Sequence, residues 1–200
     1  MTAAREGTGA VVLAGGAARR FGRDKLAASL EGMSLLERAT AAVRPLASSV
    51  VVVLAPDDDR PLAAGLLAVH DAVAHAGPLV GFGTGIAAMP PDVERVIVVG
   101  GDMPTLAGPV LARLLDTLGA AALACLVDDE GRARPLPMAV RRAEGMAAVG
   151  ELTPAGERRL RALIDRLDGV AIPVDAWRDL DPTGATLRDV DVPTDLPGSD

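Results

Sequence analysis

Short apolar runs alternate along the chain with stretches in which apolar residues recur at helical spacing. The β-branched runs at residues 10–13, 50–54 and 96–99 predict buried strands, and residues 35–43 and 106–118 predict amphipathic helices. Further strands are predicted at 66–69, 120–127 and 135–140, a late helix at 160–167, and short extended segments at 170–174 and 187–190. Continuous apolar strands that alternate with helices are typical of a mostly parallel sheet covered on both faces, so the pattern predicts an α/β fold.

Length and cysteine content narrow the class of protein. The sequence of 200 residues fits one domain. The single cysteine, Cys125, excludes an internal disulfide framework and a cysteine-based zinc site. It falls within a predicted strand, where a buried thiol is expected. His70 and His75 have no metal-ligand spacing, so we expect them to have surface or packing roles.

Charge and composition bear on the partners of the protein. The net charge is −7 and only 2% of the residues are aromatic, which argues against a nucleic-acid groove or a polybasic membrane surface. No signal-peptide pattern is visible, and the apolar run at 120–127 is far shorter than the roughly 20 residues that a membrane span needs. We therefore expect no nucleic-acid or membrane partner and a cytoplasmic location.

A basic, glycine-containing loop follows the first predicted strand. Gly15 and Gly16 let backbone N–H groups approach a ligand, and the basic residues that follow give the loop a positive charge within an acidic protein. These residues are Arg19, Arg20, Arg23 and Lys25, the last being the only lysine of the chain. The loop lacks both the Gly-Lys-Ser/Thr ending of a Walker loop and the Gly-x-Gly-x-x-Gly of a dinucleotide fold. A plain tight turn is the alternative, but the charge favours phosphate binding.

Two carboxylates follow predicted strands. In open α/β sheets, ligands bind at the carboxyl ends of the strands. Asp102 follows the strand at 96–99 in a glycine turn, where its carboxylate is a candidate ligand for Mg²⁺. A role in the turn or as a helix cap is the alternative. Asp71 follows the weaker strand at 66–69, and a turn role is the simpler interpretation for it. The glycine run at 81–85 follows no clear strand.

Several segments, in order along residues 9–196, resemble the molybdenum cofactor guanylyltransferases. The first loop, Leu-Ala-Gly-Gly-x-x-x-Arg-Phe-Gly-x-Asp-Lys at 13–25, is similar to the signature loop of that family. The other matching segments are Gly-Pro-Leu-Val-Gly at 77–81, Gly-Asp-Met-Pro at 101–104, Arg-Pro-Leu-Pro at 134–137, Gly-Glu-Arg-Arg at 156–159 and the closing segment at 189–196.

The resemblance implies a single nucleotidyltransferase domain over 1–200, with a Rossmann-like three-layer sandwich of the nucleotide-diphospho-sugar transferase type. It also implies an Mg²⁺-dependent enzyme that transfers GMP from GTP to Mo-molybdopterin and releases pyrophosphate. Transient contact with cofactor-delivery or target apo-enzyme proteins is a further expectation.

The site residues are carried over from the matching positions of the family. The implied nucleotide-binding residues are Leu13, Ala14, Gly15, Gly16, Lys25, Asp71 and Asp102. The implied catalytic residues are Arg20, Lys25 and Asp102, and the implied metal ligands are Asp102 and Asp191. Arg20 and Lys25 would meet the phosphates, whereas Asp71 would contact the guanine nucleotide.

The chain departs from the family at two places. Asp191 stands where the family has asparagine, and Leu54 and Ala55 stand where the family often has a polar asparagine near the base. Three alternatives stay open: a cytidylyltransferase acting on the same pterin, a guanylyltransferase for another phosphorylated acceptor, and a non-catalytic nucleotide-binding relative. Cytidylyltransferase relatives typically carry Leu-Ala-Ala-Gly in the first loop, so Gly15 favours guanine.

Overall fold

The computed structural model describes residues 5–15, 24–190 and 195, and its central element is a seven-stranded sheet. The strands are β1 (Arg5–Leu13), β2 (Ser29–Leu30), β3 (Met33–Ser34), β4 (Ala47–Leu54), β5 (Leu66–His70), β6 (Arg95–Gly100), β7 (Leu123–Val127), β8 (Ala133–Arg141) and β9 (Gly169–Ile172). The helices are α1 (Leu35–Val43), α2 (Pro78–Ala87), α3 (Gly108–Leu118), α4 (Arg142–Leu152) and α5 (Arg161–Arg166). Strands β2 and β3 form a separate two-stranded ribbon.

The order of strands in the main sheet is β5-β4-β1-β6-β8-β7-β9. Strands β5, β4, β1 and β6 are mutually parallel, whereas β8 runs antiparallel to both β6 and β7. The chain moves outward from β1 through β4 to β5 and then returns to the other side of β1 as β6. The crossover places the carboxyl ends of four parallel strands along one edge, where ligands bind in open α/β sheets.

Side chains of the buried strands alternate between two apolar layers. Val12, Val52 and Val99 pack on one face with α1 and α3, whereas Val11, Val53 and Val98 pack on the other face with α2, α4 and α5. Because both faces are covered, the central strands contain continuous apolar runs at 10–13, 50–54 and 96–99 rather than alternating apolar and polar residues. The predicted α/β fold with helices on both faces is confirmed.

The segment at 173–190 packs next to the carboxyl edge of the sheet. Thr186 is fully buried, where its hydroxyl accepts the backbone N–H of Ala107 and its own N–H donates to Asp181. Trp177 is also buried, and its indole N–H donates to the carbonyl of Val127 at 3.1 Å. Residues 185–187 form a 3-10 turn, and the backbone of Arg188 after it is extended, with φ −92° and ψ 126°. Leu187 thus belongs to the turn rather than to the extended segment predicted at 187–190, which joins no strand.

Two helices were not predicted. Helix α2 contains three glycines, and helix α4 has almost no apolar stripe, so neither shows the spacing that predicts an amphipathic helix. Gly85 shows why α2 needs glycine: an ideal Cβ there would lie 2.7 Å from a methyl of Val11 and 2.8 Å from a methyl of Val53. The helix therefore lies closer to the sheet than any larger residue at position 85 would allow.

None of the helices within residues 5–15 and 24–190 is long and apolar enough to cross a membrane. Cys125 is buried, as expected, and burial raises the pKa of its thiol.

We predict that Gly85→Ala destabilises the protein by about 1–3 kcal/mol, because the added methyl pushes α2 off the sheet. The matched control is Gly150→Ala, in the last turn of α4, where an added Cβ would meet nothing within 4 Å. That variant is expected to gain about 0.5–1 kcal/mol from helix propensity. Urea unfolding measures both, and a Gly85→Ala variant as stable as wild type would contradict the close packing.

Candidate active site

A cavity of about 530 Å³ lies at the carboxyl edge of the parallel strands. Its floor is formed by the ends of β1, β4 and β6, and its walls come from the loop before α2, the first turn of α2 and β8. The lining residues are Leu13, Gly15, Val53, Asp71, His75, Ala76, Gly77, Pro78, Gly81, Gly100, Asp102 and Leu136. A concave, largely apolar space with two carboxylates is typical of a small-molecule site.

The end of β1 is tied to both of its neighbours beyond the regular sheet. The N–H of Ala14 donates to the carbonyl of Val53 at 2.8 Å, and the N–H of Gly101 donates to the carbonyl of Leu13 at 2.8 Å. These bonds fix the first loop and the Asp102 turn on opposite sides of the same strand end.

Lys25 and Asp102 form an ion pair at the rim of the cavity. Lys25 Nζ lies 2.9 Å from Asp102 Oδ2, and the two side chains are only 11% and 31% exposed. An ideal Cβ on Gly100 would lie 2.5 Å from Asp102 Oδ1, so the glycine leaves the space that this carboxylate fills. The carbonyl of Asp102 also accepts the N–H of Val190 at 3.0 Å. The lysine of the basic loop and the carboxylate of the β6 turn therefore lie in direct contact, although they come from different segments of the chain.

Asp71 lies beyond β5, on the other side of the cavity. Its N–H donates to the carbonyl of Leu54 at 3.0 Å, and its Oδ1 accepts the hydroxyl of Thr84 at 2.9 Å. Burial raises the pKa of the Asp71 carboxyl, and the hydrogen bond from Thr84 opposes part of that rise. Sequence reasoning did not single out Thr84, because it lies within the glycine run at 81–85, which was not predicted to be helical.

Arg60 links the first loop to the segment after β4, and its role was not predicted either. Its guanidinium lies 3.2 Å from the carboxylate of Asp24 and 2.6 Å from that of Asp58. Burial acts to raise the pKa of Asp58, but the hydrogen bonds and charge of Arg60 together outweigh it, so that this pKa is lowered. The ion pairs hold Asp24, the residue before Lys25, against the body of the protein.

The Gly-Glu-Arg-Arg segment supports the start of α2. The carbonyl of Arg158 accepts the N–H of Leu79 at 3.0 Å, and a Cβ on Gly77 would lie only 2.7 Å from the Cβ of Arg158. Hydrogen bonds from Arg159 and Arg158 lower the pKa of Glu157 to about 2. Glu157 thus orders the backbone on which the first turn of α2 rests, and Gly77, with a φ of 99°, provides the close approach.

The donor set at Asp102 fits a divalent cation that is shared with a ligand. Across residues 5–15 and 24–190, no group of three or more His, Cys, Asp or Glu side chains converges on one point. Mg²⁺ needs no such group, because it commonly takes one or two carboxylates and completes its shell with water and substrate phosphate. A carboxylate at the rim of a cavity of this size meets that requirement.

The predicted site residues are brought together as far as the structure describes them. Leu13, Gly15, Asp71 and Asp102 line one cavity, Ala14 lies buried beside it, and Lys25 contacts Asp102. Gly16, Arg20 and Asp191 lie outside the described residues. His75 is exposed, as expected, but it also lines the cavity. At the family's polar position, Leu54 is buried, and the backbone of Ala55 lies next to Gly15.

Comparison with known proteins identifies the family. The family described as "MobA-like NTP transferase domain" matches residues 10–170. The chain belongs to this family. A relative from Chloroflexus aggregans, named a probable molybdenum cofactor guanylyltransferase, is 35% identical over 93% of this chain and 90% of its own length. The resemblance that the ordered sequence motifs indicated is therefore confirmed.

Solved structures share the fold described above. The molybdopterin-guanine dinucleotide biosynthesis protein A of Archaeoglobus fulgidus superposes with a TM-score of 0.74 at 21% identity, covering 94% of each chain. A Mycobacterium tuberculosis protein solved in complex with manganese superposes with a TM-score of 0.62 at 18% identity, covering 88% of this chain and 98% of that one. These similarities confirm the predicted Rossmann-like sandwich.

We predict that Asp71→Asn stabilises the protein at pH 7. The pKa of Asp71 is higher in the folded protein than in the unfolded chain. The ionised carboxylate therefore lowers the free energy of unfolding at any pH above the folded-state pKa. This loss of stability shrinks as the pH falls from the folded-state pKa to the unfolded-state pKa, because the carboxyl becomes protonated. The melting temperature of Asp71→Asn should exceed that of wild type at pH 7, and the difference should shrink toward pH 4. A variant less stable than wild type at pH 7 would contradict this account.

Proposed function

We propose that the protein is a molybdenum cofactor guanylyltransferase, which transfers GMP from GTP to Mo-molybdopterin and releases pyrophosphate. The observation that carries the proposal is the Lys25–Asp102 pair at the mouth of a cavity whose other end holds Asp71. The name of the Chloroflexus aggregans relative supports the same reaction. Leu13, Ala14 and Gly15 would hold the nucleotide through backbone groups, together with Gly16, and Asp71 would contact the base.

In the proposed reaction, a terminal phosphate oxygen of the pterin attacks the α-phosphorus of GTP. A new P–O–P bond forms to the acceptor while the bond between the α-phosphorus and the bridging oxygen of the β-phosphate breaks, and pyrophosphate leaves with that electron pair. The acceptor phosphate is already ionised, so no general base is required. The task of the protein is to align the two phosphates and to offset their charge.

Lys25 is the described residue that is best suited to neutralise phosphate charge. Its ammonium is compact and mostly shielded from solvent, so its interaction with a phosphate is stronger than it would be in open water. Its ion pair with Asp102 holds the ammonium at the rim of the cavity. Arg20 is proposed to act on the same phosphates.

We propose Mg²⁺ as the metal, with Asp102 as its ligand and Asp191 as a second one. When bound, the cation would neutralise the charge that develops on the phosphates as pyrophosphate leaves. The manganese in the Mycobacterium tuberculosis relative supports divalent-metal dependence. An aspartate at 191, rather than the family's asparagine, keeps an oxygen donor and adds a negative charge near the cation.

Gly15 supports guanine over cytosine as the base. An ideal Cβ at position 15 would lie 3.3 Å from Asp71 Oδ2, which is tighter than ordinary van der Waals contact. An alanine there, as in the cytidylyltransferase relatives, would crowd the carboxylate proposed to contact the base. Glycine at 15 and aspartate at 71 therefore form a compatible pair.

The remaining expectations stay predictions: a single nucleotidyltransferase domain, a cytoplasmic location, and transient contact with proteins that deliver or receive the cofactor.

We predict that Lys25→Ala and Asp102→Ala each lower GTP-dependent pyrophosphate release on the order of 10²–10³-fold, as expected when one preorganised charged group is removed. Asp116→Ala is the control, because Asp116 lies on α3 and pairs with Arg5 at the opposite end of β1. Its activity should stay within twofold of wild type. Site variants that retain wild-type rates would rule out this assignment of the site.

We also predict that wild-type protein binds GTP with Mg²⁺ in preference to CTP, and that Lys25→Ala weakens GTP binding, because the phosphates lose a partner. Calorimetric titration with each nucleotide measures both effects. A preference for CTP would favour the cytidylyltransferase alternative, whereas binding of neither nucleotide would contradict the proposed function.

A further inference from the structure

The Asp71 carboxylate lies in a narrow slot between two elements. An ideal Cβ on Gly15, in the first loop, or on Gly81, on α2, would lie 3.3 Å from Asp71 Oδ2. The glycines thus leave the space that the carboxylate fills, and a larger residue at either position would crowd it. The backbone of Asp71 is fixed as well, by its hydrogen bond to Leu54. The torsion of the side chain is the remaining freedom.

The Thr84 hydroxyl restrains that torsion. Thr84 lies three residues after Gly81 on α2, so the two positions share one face of the helix. Its Oγ1 is 2.9 Å from Asp71 Oδ1 and 3.2 Å from the carbonyl of Val80. A hydroxyl has one proton to donate, and the shorter, charge-assisted bond to the carboxylate is the stronger of the two.

We propose that Thr84 is a positioning residue that orients the Asp71 carboxylate toward the guanine base, an inference that rests on the function proposed above. Guanine presents two adjacent donors, N1–H and the 2-amino group, which a fixed carboxylate can accept together. Hypoxanthine lacks the amino group, and cytosine lacks this pair of donors. A carboxylate free to rotate would lose the alignment on which the recognition of two donors depends.

Burial of Asp71 gives Thr84 a second effect in the same direction. Burial favours the protonated acid, whereas the bond from Thr84 favours the carboxylate. A protonated Asp71 would present one donor and fewer acceptors to the base. Thr84 therefore supports both the direction and the charge of the group that is proposed to recognise guanine.

The test compares Thr84→Val, which removes the hydroxyl at nearly constant shape, with Thr84→Ser, which keeps it. GTP and ITP are titrated against each variant with Mg²⁺ present. Thr84→Val should weaken GTP binding on the order of tenfold and reduce the preference for GTP over ITP. Thr84→Ser should retain most of the GTP affinity and most of the preference for GTP over ITP. In turnover, Thr84→Val should raise KM for GTP while kcat changes little, because the base is remote from the reacting phosphorus.

Thr40→Val is the matched control. Thr40 is also a helical threonine, and its hydroxyl bonds to the carbonyls of Leu36 and Glu37 within α1. The variant loses the same kind of group away from the cavity, so GTP binding should stay within twofold of wild type. Asp71→Asn provides the second reference. In the double variant, Thr84→Val should add little to the loss of GTP affinity that Asp71→Asn already causes, because Thr84 is proposed to act through Asp71.

Three results would overturn the role of Thr84: wild-type affinity in Thr84→Val, equal losses for GTP and ITP, or a Thr84→Ser variant as impaired as the valine variant. If wild type binds GTP and only the Thr84 result fails, the proposed function stands without this inference. If wild type binds no GTP, the proposed function fails and the role of Thr84 falls with it.

Discussion

Backbone hydrogen bonds at the end of β1 hold the parts of the candidate site in one place. The carbonyl of Leu13 accepts the N–H of Gly101, and the N–H of Ala14 donates to Val53. The first bond aligns the Asp102 turn, and the second aligns the first loop with β4. Because β1 lies between two parallel neighbours, segments far apart in sequence meet at its end. Lys25 and Asp102, which lie 77 positions apart, can therefore form an ion pair.

Helix α2 completes the site because the glycines at its closest contacts have no side chains. Gly85 lets the helix approach Val11 and Val53, Gly81 leaves room for Asp71, and Gly77 lets the first turn rest on Arg158. Glycine weakens a helix by roughly 1 kcal/mol relative to alanine, so this composition carries a cost in local stability. The burial of the Asp71 charge carries another, since it raises the pKa of that group. Both costs fall where the chain would bind the base, a pattern that is common at functional sites.

Much of the fold could be predicted from the sequence, because buried parallel strands are continuous apolar runs. The runs at 50–54 and 96–99 fall within β4 and β6, and the stripe at 106–118 overlaps α3. Helices α2 and α4 could not be predicted in this way. The first replaces apolar side chains with glycine at its closest contacts, and the second buries little more than Gly145 and Ala148. Their positions follow from tertiary packing, which a periodicity in the sequence does not show.

The residues of the site divide in the same way into those that a sequence pattern reveals and those that only tertiary contacts reveal. Gly15, Lys25 and Asp102 stand out because glycines, a lone lysine and a strand-end carboxylate are unusual in sequence. Thr84 and Arg60 do not stand out, since an isolated threonine in a glycine run and an arginine near aspartates are ordinary. Their importance depends on distances of 2.9 Å to Asp71 and 2.6 Å to Asp58 across the fold. Residues that act through another side chain are therefore found only once that contact is known.

The most direct test of the central claim follows the α-phosphate of GTP. The protein, Mg²⁺ and Mo-molybdopterin are incubated with GTP labelled at the α-phosphate and, in a parallel reaction, at the γ-phosphate. The account predicts that the α-label appears in a pterin guanine dinucleotide and that the γ-label leaves as pyrophosphate. Release of the γ-label as inorganic phosphate, or binding of GTP without any transfer of the α-label, would contradict it.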